Sequence, residues 1–258
     1  IPKRDWSSDV CSSDLRNLRV NDDRKLEAIR DLSLEVKAGE ILGIAGVEGN
    51  GQRELVEAIC SMRNRLSGEV IVKGESVPNL DPKSAHRAGI SHIPEDREKH
   101  GLVGTYSIAD NLVLNQFDQP PFAQGWIRKL NQVSNNAENL VEKFDIRAPN
   151  VSTTAGALSG GNKQKVVVAR ELSQQLEIVI ASQPTRGVDV GSIEFIHKQL
   201  IAARDKGAAV LLVSAELDEI LSLADRIGVI SNGKIVSTFS ADEADRNTIG
   251  RLMAGLSH

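Results

Sequence analysis

The feature that most constrains the fold of this chain is a glycine-rich loop between a short apolar segment and a helical pattern. Residues 40–45 (EILGIA) have the length and composition of a buried strand, and residues 46–51 (GVEGNG) follow at once. Beyond the loop, apolar residues recur at helical spacing: Leu55, Val56, Ile59 and Met62. Strand, loop and helix in this order are the context in which a glycine-rich loop indicates phosphate binding at a helix N-terminus.

The loop keeps the glycines of the phosphate-binding pattern G-x-x-x-x-G-K-[ST] but lacks its other side chains. Gly46, Gly49 and Gly51 retain the glycine frame, whereas Gln52 stands at the lysine position and Arg53 at the position of the magnesium-binding hydroxyl. Because backbone N–H donors need only the glycine frame, we expect the loop to hold a nucleotide without cleaving it. We expect the Arg53 guanidinium to replace part of the missing magnesium charge through a bidentate contact with phosphate.

Strand and helix patterns alternate on both sides of the loop and predict an α/β core with a mostly parallel sheet and an N-terminal antiparallel β subdomain. Strands are predicted at residues 17–20, 28–36, 40–45, 69–73, 90–93, 178–181, 208–213, 226–230 and 234–239. Helices are predicted near residues 82–87 and 193–204, and Asn232-Gly233 predicts a hairpin turn between the last two strands.

A different pattern begins near Gly101 and predicts an inserted helical subdomain at residues 104–173. Its apolar residues fall on one helical stripe, between prolines at 120, 121 and 149: Ile127, Leu130, Val133, Ala137, Leu140, Val141 and Phe144. The core is then predicted to consist of residues 16–103 and 174–256.

The first fifteen residues are predicted to be an artefactual leader. Residues 5–15 (DWSSDVCSSDL) resemble the conceptual translation of a common sequencing adapter, and this Ser/Asp run matches no strand or helix period. The native protein is expected to extend upstream. With the leader set aside Cys60 is the remaining cysteine, so we expect no internal disulfide and a reducing compartment.

Composition gives no support to several classes of partner. The net charge of −4 gives no electrostatic reason to expect nucleic acid or anionic lipid as a partner. The longest apolar run, residues 208–213, is far shorter than the roughly 18 residues that a membrane-spanning helix needs. Any connection to a membrane is therefore expected to run through a partner protein.

A second candidate phosphate-contacting motif is ALSGGNKQK, residues 157–165, which precedes the helical pattern VVVARELSQQ. A serine hydroxyl, two glycines and a helix N-terminus offer free N–H groups and a favourable dipole to an anion. Ser-Gly-Gly before a helix is, taken alone, more often an ordinary cap. The full string makes the anion-binding interpretation the stronger one.

LSGGNKQK resembles the signature motif of ABC transporter ATPases, and the resemblance covers about residues 17–256. IVIASQPTRGVDVGS, residues 178–192, matches the Walker B motif and the loop after it, and HIPEDREKHGL, residues 92–102, follows the Gln-loop strand. These strings are most similar to the C-terminal ATPase half of the tandem ATP-binding proteins of bacterial simple-sugar and nucleoside importers. The resemblance implies the ABC-type P-loop ATPase fold and a head-to-tail arrangement in which each ATP lies between one half's P-loop and the other half's signature.

Five positions depart from the family pattern, and all serve hydrolysis in the chain's own site. Besides Gln52 and Arg53, Ser182 replaces the Walker B aspartate, Gln183 the glutamate that polarises water, and Ala215 the switch histidine. The residues assigned to nucleotide binding are Gly46, Gly49, Asn50, Gly51, Gln52, Arg53, Glu54, Ser182 and Glu95, which stands at the Gln-loop position. The signature residues expected to act on the other half's ATP are Leu158, Ser159, Gly160, Gly161, Asn162, Lys163 and Gln164, and Asp189 is assigned to the D-loop.

Other polar residues carry weaker signals. His86, His92, His100 and His197 share no metal-ligand spacing with each other or with Cys60, so surface or core roles are favoured over zinc. The adjacent acids Glu95 and Asp96 are expected to lie in a solvated loop that contacts the transport partner. No aromatic residue that could stack on adenine occurs between residues 17 and 46, which indicates a relaxed nucleotide site.

The resemblance implies an ATP-binding importer subunit whose isolated domain is weakly active or inactive. Its expected cofactors are ATP, and Mg²⁺ at the other half's site rather than at this one. Its expected partners are the N-terminal ATPase half, the transmembrane permease and, through the permease, an external substrate-binding protein. It would lie at the cytoplasmic face of the bacterial cell membrane. The alternatives are a scaffold that binds no nucleotide and a non-transport ABC protein acting on ribosomes or DNA, which the acidic pI disfavours.

Overall fold

The computed structural model describes residues 11–174 and 176–256, and the chain divides into two compact units. The first unit comprises residues up to Ser91, Leu176–Ile180 and the residues from Ile201. The second comprises residues from His92 up to 174 and Ala181–Leu200. In the part of the chain that is described, no helix combines the length and the apolarity required to cross a bilayer.

The strands are β1 (Cys11–Asn21), β2 (Glu27–Lys37), β3 (Ile41–Ala45), β4 (Arg65–Val72), β5 (Glu75–Ser76), β6 (Ile90–Ile93), β7 (Ala123–Gln124), β8 (Ile127–Arg128), β9 (Ile178–Ser182), β10 (Ala209–Ser214), β11 (Arg226–Ser231) and β12 (Lys234–Ser240). The α-helices are α1 (Gln52–Ile59), α2 (Pro82–Arg87), α3 (Ile108–Leu112), α4 (Leu130–Lys143), α5 (Gly160–Leu172), α6 (Val190–Asp205), α7 (Leu217–Leu223) and α8 (Arg246–Met253).

Two sheets carry the α/β core, and the predicted fold class is confirmed. One is an antiparallel sheet of order β2-β1-β4-β5, and the other is a six-stranded sheet of order β12-β11-β3-β10-β9-β6. In the larger sheet β10 and β11 both run parallel to β3, while β12 closes one edge antiparallel to β11. Every residue of β3 and of β10 is buried, which explains why these strands are apolar throughout instead of alternating.

The first strand begins earlier than the sequence predicts. Residues 11–15 were assigned to the leader, yet they form the start of β1, where Ser13 pairs with Val36 on one side and Val72 on the other. The side chain of Leu15 is 1% exposed in the first unit's core. The start of β1 belongs to the sheet because β2 and β4 are long enough to pair with it on both of its edges. Residues 1–10 lie outside the described part of the chain.

The second unit is mainly helical, as predicted, but its boundaries differ. It begins at His92 instead of residue 104 and takes in residues 181–200, because the segments after β6 and β9 bond within it. Its core includes an edge-to-face contact between Phe144 and Phe195, whose ring centroids are 6.3 Å apart.

The helical stripe in this unit is shorter than its sequence pattern. Ile127 lies in the β7–β8 hairpin and is 72% exposed, and Leu130, the first residue of α4, is also exposed. The buried stripe therefore begins at Val133. The turn at Gly125, where φ is +60°, forms a hairpin that the periodicity alone did not reveal.

Candidate functional site

The glycine loop leads from β3 into α1 as predicted. Gly51 adopts a φ of 102° and an added Cβ there would lie 2.8 Å from the carbonyl oxygen of Ala28, so only glycine fits. No described side chain caps α1, whose first residue is Gln52. The uncapped first turn leaves backbone donors available to an anion.

The side chain of Gln52 folds back over the loop that precedes it. Its Nε2 donates to the carbonyl oxygen of Val47 at 2.9 Å, and its Oε1 accepts from the backbone N–H of Asn50 at 3.1 Å. An added Cβ on Gly46 would lie 2.6 Å from Gln52 Nε2, so the amide packs directly on the loop. One of the N–H groups expected to meet phosphate is thus already bonded to a neutral oxygen.

Asn50 ties the loop to the hairpin turn between β11 and β12. Its Oδ1 accepts from the backbone N–H of Asn232 at 2.9 Å, and its carbonyl oxygen accepts from the N–H of Gly233 at 3.1 Å. Sequence reasoning found the turn and the loop separately but not this bond. These two bonds, one to the Asn50 side chain and one to its backbone, join the loop to a turn that is far away in the chain.

The guanidinium of Arg53 contacts two carboxylates. Its Nε donates to Glu57 Oε1 at 2.8 Å, one turn along α1, and its Nη1 lies 3.5 Å from Asp23. The hydrogen bond and charge of Glu57 raise the pKa of Arg53 above its ordinary value. A bidentate phosphate contact by this exposed guanidinium would use its Nη groups or would compete with the bond to Glu57.

The other positions of the predicted hydrolytic set lie on separate segments. Ser182 ends β9 and is buried, and Gln183 follows it in the left-handed region with φ of 47°, both in the second unit. Glu95 is also in the second unit and forms an ion pair with Arg186. Ala215 directly follows β10 in the first unit and offers only a methyl group.

The signature segment, residues 158–164, begins α5 with a capped and well-bonded N-terminus. Ser159 is the N-cap, and its Oγ accepts from Asn162 Nδ2 at 2.9 Å. Asn162 Oδ1 in turn accepts from the backbone N–H of Arg147 at 2.8 Å, and Gln164 Nε2 donates to the carbonyl oxygen of Pro184 at 2.8 Å. Ser159 is exposed, so the cap and a role toward an external anion are compatible.

Asp189 caps the start of α6 instead of standing free. Its Oδ2 accepts from Ser192 Oγ at 2.8 Å and its Oδ1 from the Ser192 N–H at 3.0 Å. These two bonds from Ser192, the side-chain one first, hold the pKa of Asp189 below its usual value. The carboxylate is therefore charged at neutral pH and fixed beside the signature glycines.

A cavity of about 530 Å³ opens beside the signature segment within the second unit. Its lining residues come from the segment after α4, the start of α5 and the first half of α6: Asp145, Arg147, Ser159, Asn162, Lys165, Asp189, Gly191, Ser192, Glu194, Phe195 and Lys198. Lys165 lies between Asp145 and Phe195 on one side of the cavity. Its Nζ donates to Asp145 Oδ2 at 2.6 Å and lies 4.9 Å from the Phe195 ring centroid.

The donor set of the chain's own loop does not fit Mg²⁺. That ion is held by oxygen ligands, usually a carboxylate or hydroxyl together with substrate phosphates, whereas position 53 carries a guanidinium. Within residues 11–174 and 176–256, no group of three or more His, Cys, Asp or Glu side chains is arranged to hold a metal ion. We therefore assign no metal-dependent step to this loop.

Comparison with known proteins decides the family. The family model described as ABC transporter matches residues 29–186, which is more than half of the chain. The chain belongs to the ABC transporter family. ATPase domains of this family bind ATP with Mg²⁺ in general.

Three relatives of this ABC chain are named as import ATP-binding proteins. It is 47% identical over 238 residues to a guanosine import ATP-binding protein of Bacillus subtilis and 41% identical over 242 residues to a nucleoside import ATP-binding protein of Lactococcus lactis. A glucose import ATP-binding protein of Haloferax volcanii is 43% identical over 242 residues. The alignments cover 92%, 94% and 93% of this chain but 47%, 48% and 44% of the relatives, so it spans about half of their length.

Solved structures confirm the ABC ATPase fold. A nucleotide-free ATP-binding cassette of an ABC transporter superposes with a TM-score of 0.76 at 21% identity, covering 94% of this chain and 95% of the other. A dimeric cassette bound to ADP and phosphate superposes with a TM-score of 0.75 at 20% identity, covering 89% and 98%. At these identities the similarity establishes the fold alone.

Proposed function

We propose that this chain is the second ATP-binding half of a tandem importer protein for nucleosides or simple sugars. Relatives named as guanosine, nucleoside and glucose import proteins support the transport class. The half-length match to these relatives supports an arrangement of two such halves on one chain. Its partners would be the first ATPase half, a transmembrane permease and, through the permease, an external binding protein, with this subunit peripheral at the cytoplasmic face of the membrane.

The observation that carries the proposal is the contrast between the two candidate phosphate-contacting regions. In the glycine loop, Gln52 is bonded to the loop backbone and Arg53 to Glu57, and neither the lysine nor the metal-binding hydroxyl of the pattern is present. On a separate segment, Ala215 stands at the switch-histidine position. In the signature segment, Ser159 caps α5 at an exposed position and the following residues are fixed by bonds. The chain therefore keeps the part that acts on another half's ATP and lacks the part that cleaves its own.

In this function Ser159 and the first N–H groups of α5 would contact the terminal phosphates of ATP held by the first half. Preorganised donors at a helix N-terminus stabilise charge that develops on a transferring phosphoryl group. Closure of the two halves on ATP would move the permease, as differential binding to open and closed states requires. Mg²⁺ would belong to the first half's site.

The test uses the full tandem protein assembled with its permease. Ser159→Arg places a large cation at the signature N-terminus and is expected to abolish ATP turnover, whereas Gln183→Glu is expected to change it by less than about threefold, since this site lacks other parts. Ser152→Arg, at another exposed serine of the second unit, is the matched control and should keep turnover. Wild-type turnover in Ser159→Arg would refute the proposal.

A scaffold that binds no nucleotide is the second candidate, and one observation favours it. Gln52 Oε1 already accepts from the Asn50 N–H, which is a donor that phosphate would need. Isothermal titration of the chain with ATP separates the two candidates. Saturable binding supports an ATP-holding half, and the absence of binding at several-fold physiological ATP supports the scaffold.

A further inference from the structure

The segment after β6 forms a bonded turn, in which Asp96, Glu98, Lys99 and His100 are exposed to solvent. Asp96 caps the turn, because its Oδ1 accepts from the N–H groups of Glu98 at 3.1 Å and Lys99 at 3.0 Å. The residues Arg97–Gly101 make one π-helical turn, and the carbonyl oxygen of Gly101 accepts from the buried Arg170 Nη1 at 2.8 Å. Both ends of the turn are thereby held within the second unit.

The side chain of Arg97 extends from this turn and contacts two backbone carbonyl oxygens. Its Nη1 donates to the carbonyl oxygen of Arg186 at 2.8 Å, and its Nη2 donates to that of Gly187 at 3.1 Å. An added Cβ on Gly160 would lie 2.9 Å from Arg97 Nη2, so the guanidinium packs directly on the first signature glycine. Its Nε is buried and has no hydrogen-bond partner among the described residues.

Two ion pairs lie on either side of the Arg97 contacts. Glu98 Oε1 accepts from Nζ of Lys163, the sixth residue of the signature segment, at 2.8 Å, and the Lys163 side chain is only 15% exposed. Glu95 pairs with Arg186, whose carbonyl oxygen Arg97 also binds. Glu95, Arg97 and Glu98 therefore each contact either the signature segment or the loop that ends at Gly187.

We propose that Arg97 is a positioning residue that holds the signature segment in a fixed position relative to the loop of residues 183–187. The Glu98–Lys163 ion pair is a second contact that holds the segment in place. The inference rests on the proposed function, in which the signature must meet another half's ATP. A planar guanidinium can bond two neighbouring carbonyl oxygens at once and still pack flat on a glycine, which an ammonium cannot do. Without it the signature N-terminus would lose its fixed distance from the 183–187 loop.

The first experiment measures ATP turnover of the full tandem protein with its permease. Arg97→Ala and Arg97→Lys are each expected to lower kcat by about 100-fold, the effect of a misplacement of about 1 Å. The KM for ATP is expected to stay within about twofold, because the first half's loop holds the nucleotide and only the transition-state contact is lost. Arg128→Ala, which removes an arginine paired with Asp110 in the same unit, is the matched control and should keep kcat.

The second experiment reverses the flanking pair. Glu98→Lys and Lys163→Glu are each expected to lower kcat, and the double variant is expected to recover most of it, since the opposite charges again face one another. Single variants with wild-type kcat, or a double variant no better than the singles, would overturn the proposal. If Arg97→Ala does not unfold cooperatively in a thermal melt, this charge reversal decides the question.

Ser159→Arg, measured in the same assays, separates this inference from the proposed function. If Ser159→Arg abolishes turnover while Arg97→Ala and Arg97→Lys keep kcat, the positioning role is wrong and the proposed function stands. If Ser159→Arg retains turnover, the proposed function fails first. Loss of kcat at constant KM in both Arg97 variants, with recovery in the Glu98–Lys163 double reversal, supports the positioning role.

Discussion

Gly161 packs so closely on Ser192 that an added Cβ would lie 2.3 Å from the serine Oγ and 2.5 Å from Oδ2 of Asp189. A Cβ at the second signature glycine would therefore displace the Ser192 and Asp189 side chains within this chain, independently of any phosphate. The same Ser192 hydroxyl donates to Asp189, so the start of α5 and the cap of α6 share one tightly filled contact. A substitution at Gly161 changes both.

Gly161→Ala is predicted to destabilise the chain by about 1–3 kcal/mol, the usual cost of overpacking a filled site. Gly250→Ala is the matched control, because Gly250 is also inside a helix but has no heavy atom within 4 Å of its Cβ position. There, alanine should stabilise by about 0.5–1 kcal/mol through helix propensity. Urea unfolding measures both, and equal effects would contradict the packing argument.

Lys165→Met is predicted to lower the free energy of unfolding by about 1–2 kcal/mol. The substitution keeps the apolar stem but removes the bond to Asp145 and the contact with the Phe195 ring, and the lysine side chain is only 8% exposed. The exposed end of Asp145 limits the loss, because water screens that partner. Lys198→Met removes an exposed i,i+4 pair with Glu194 and should cost at most about 0.5 kcal/mol. Equal losses in the two variants would show that the bridge adds nothing.

Local signals were enough to predict the elements that local chemistry determines. The predicted helix at 82–87 coincides with α2, where Asp81 Oδ1 accepts from the Ser84 N–H at 3.0 Å and proline opens the first turn. The Asn232-Gly233 turn is confirmed, with φ of 51° and 75°. In both cases the deciding contacts lie within a few residues of each other.

Most of the remaining features depend on partners distant in sequence. The early start of β1 follows from pairing with β2 and β4. The exposure of Ile127 follows from a short hairpin with a turn at Gly125, which the helical periodicity did not indicate. The glycine frame of the loop could be predicted from the sequence. The hydrogen bonds of the Gln52 amide to the loop and of Asn50 to the 232–233 turn could not. The catalytic and binding roles assigned to these residues stay predictions.

The stability of the second unit is predicted to fall in acid partly through Asp110. A hydrogen bond from Ser107 Oγ at 2.6 Å, and then one from Arg128 Nη2 at 2.7 Å, hold the pKa of Asp110 below its usual value. Since the folded pKa is lower than the unfolded value of about 3.9, this stabilisation is fully present above the unfolded pKa and is lost as pH falls through the folded pKa.

Asp110→Asn should therefore lose less unfolding free energy between neutral pH and roughly pH 3 than the parent chain does. Urea unfolding at both pH values measures the difference. Arg128→Gln, which removes the charged partner but keeps Asp110, should give an intermediate dependence. Parallel pH profiles for the parent and Asp110→Asn would exclude this carboxylate as a source of acid sensitivity.

Gln52→Lys is predicted to tighten ATP binding to this chain by about 10- to 100-fold, the range of a charge-assisted hydrogen bond worth about 1.5–3 kcal/mol. The lysine would free the Asn50 N–H from Gln52 Oε1 and place a cation at the loop. Gln52→Met, which removes the same acceptor without adding charge, separates the two contributions. Hydrolysis should stay absent in both variants, because Gln183 supplies no carboxylate. Titration calorimetry measures the affinities, and a Gln52→Lys chain that binds ATP no better than the parent would mean that the glycine frame no longer cradles phosphate.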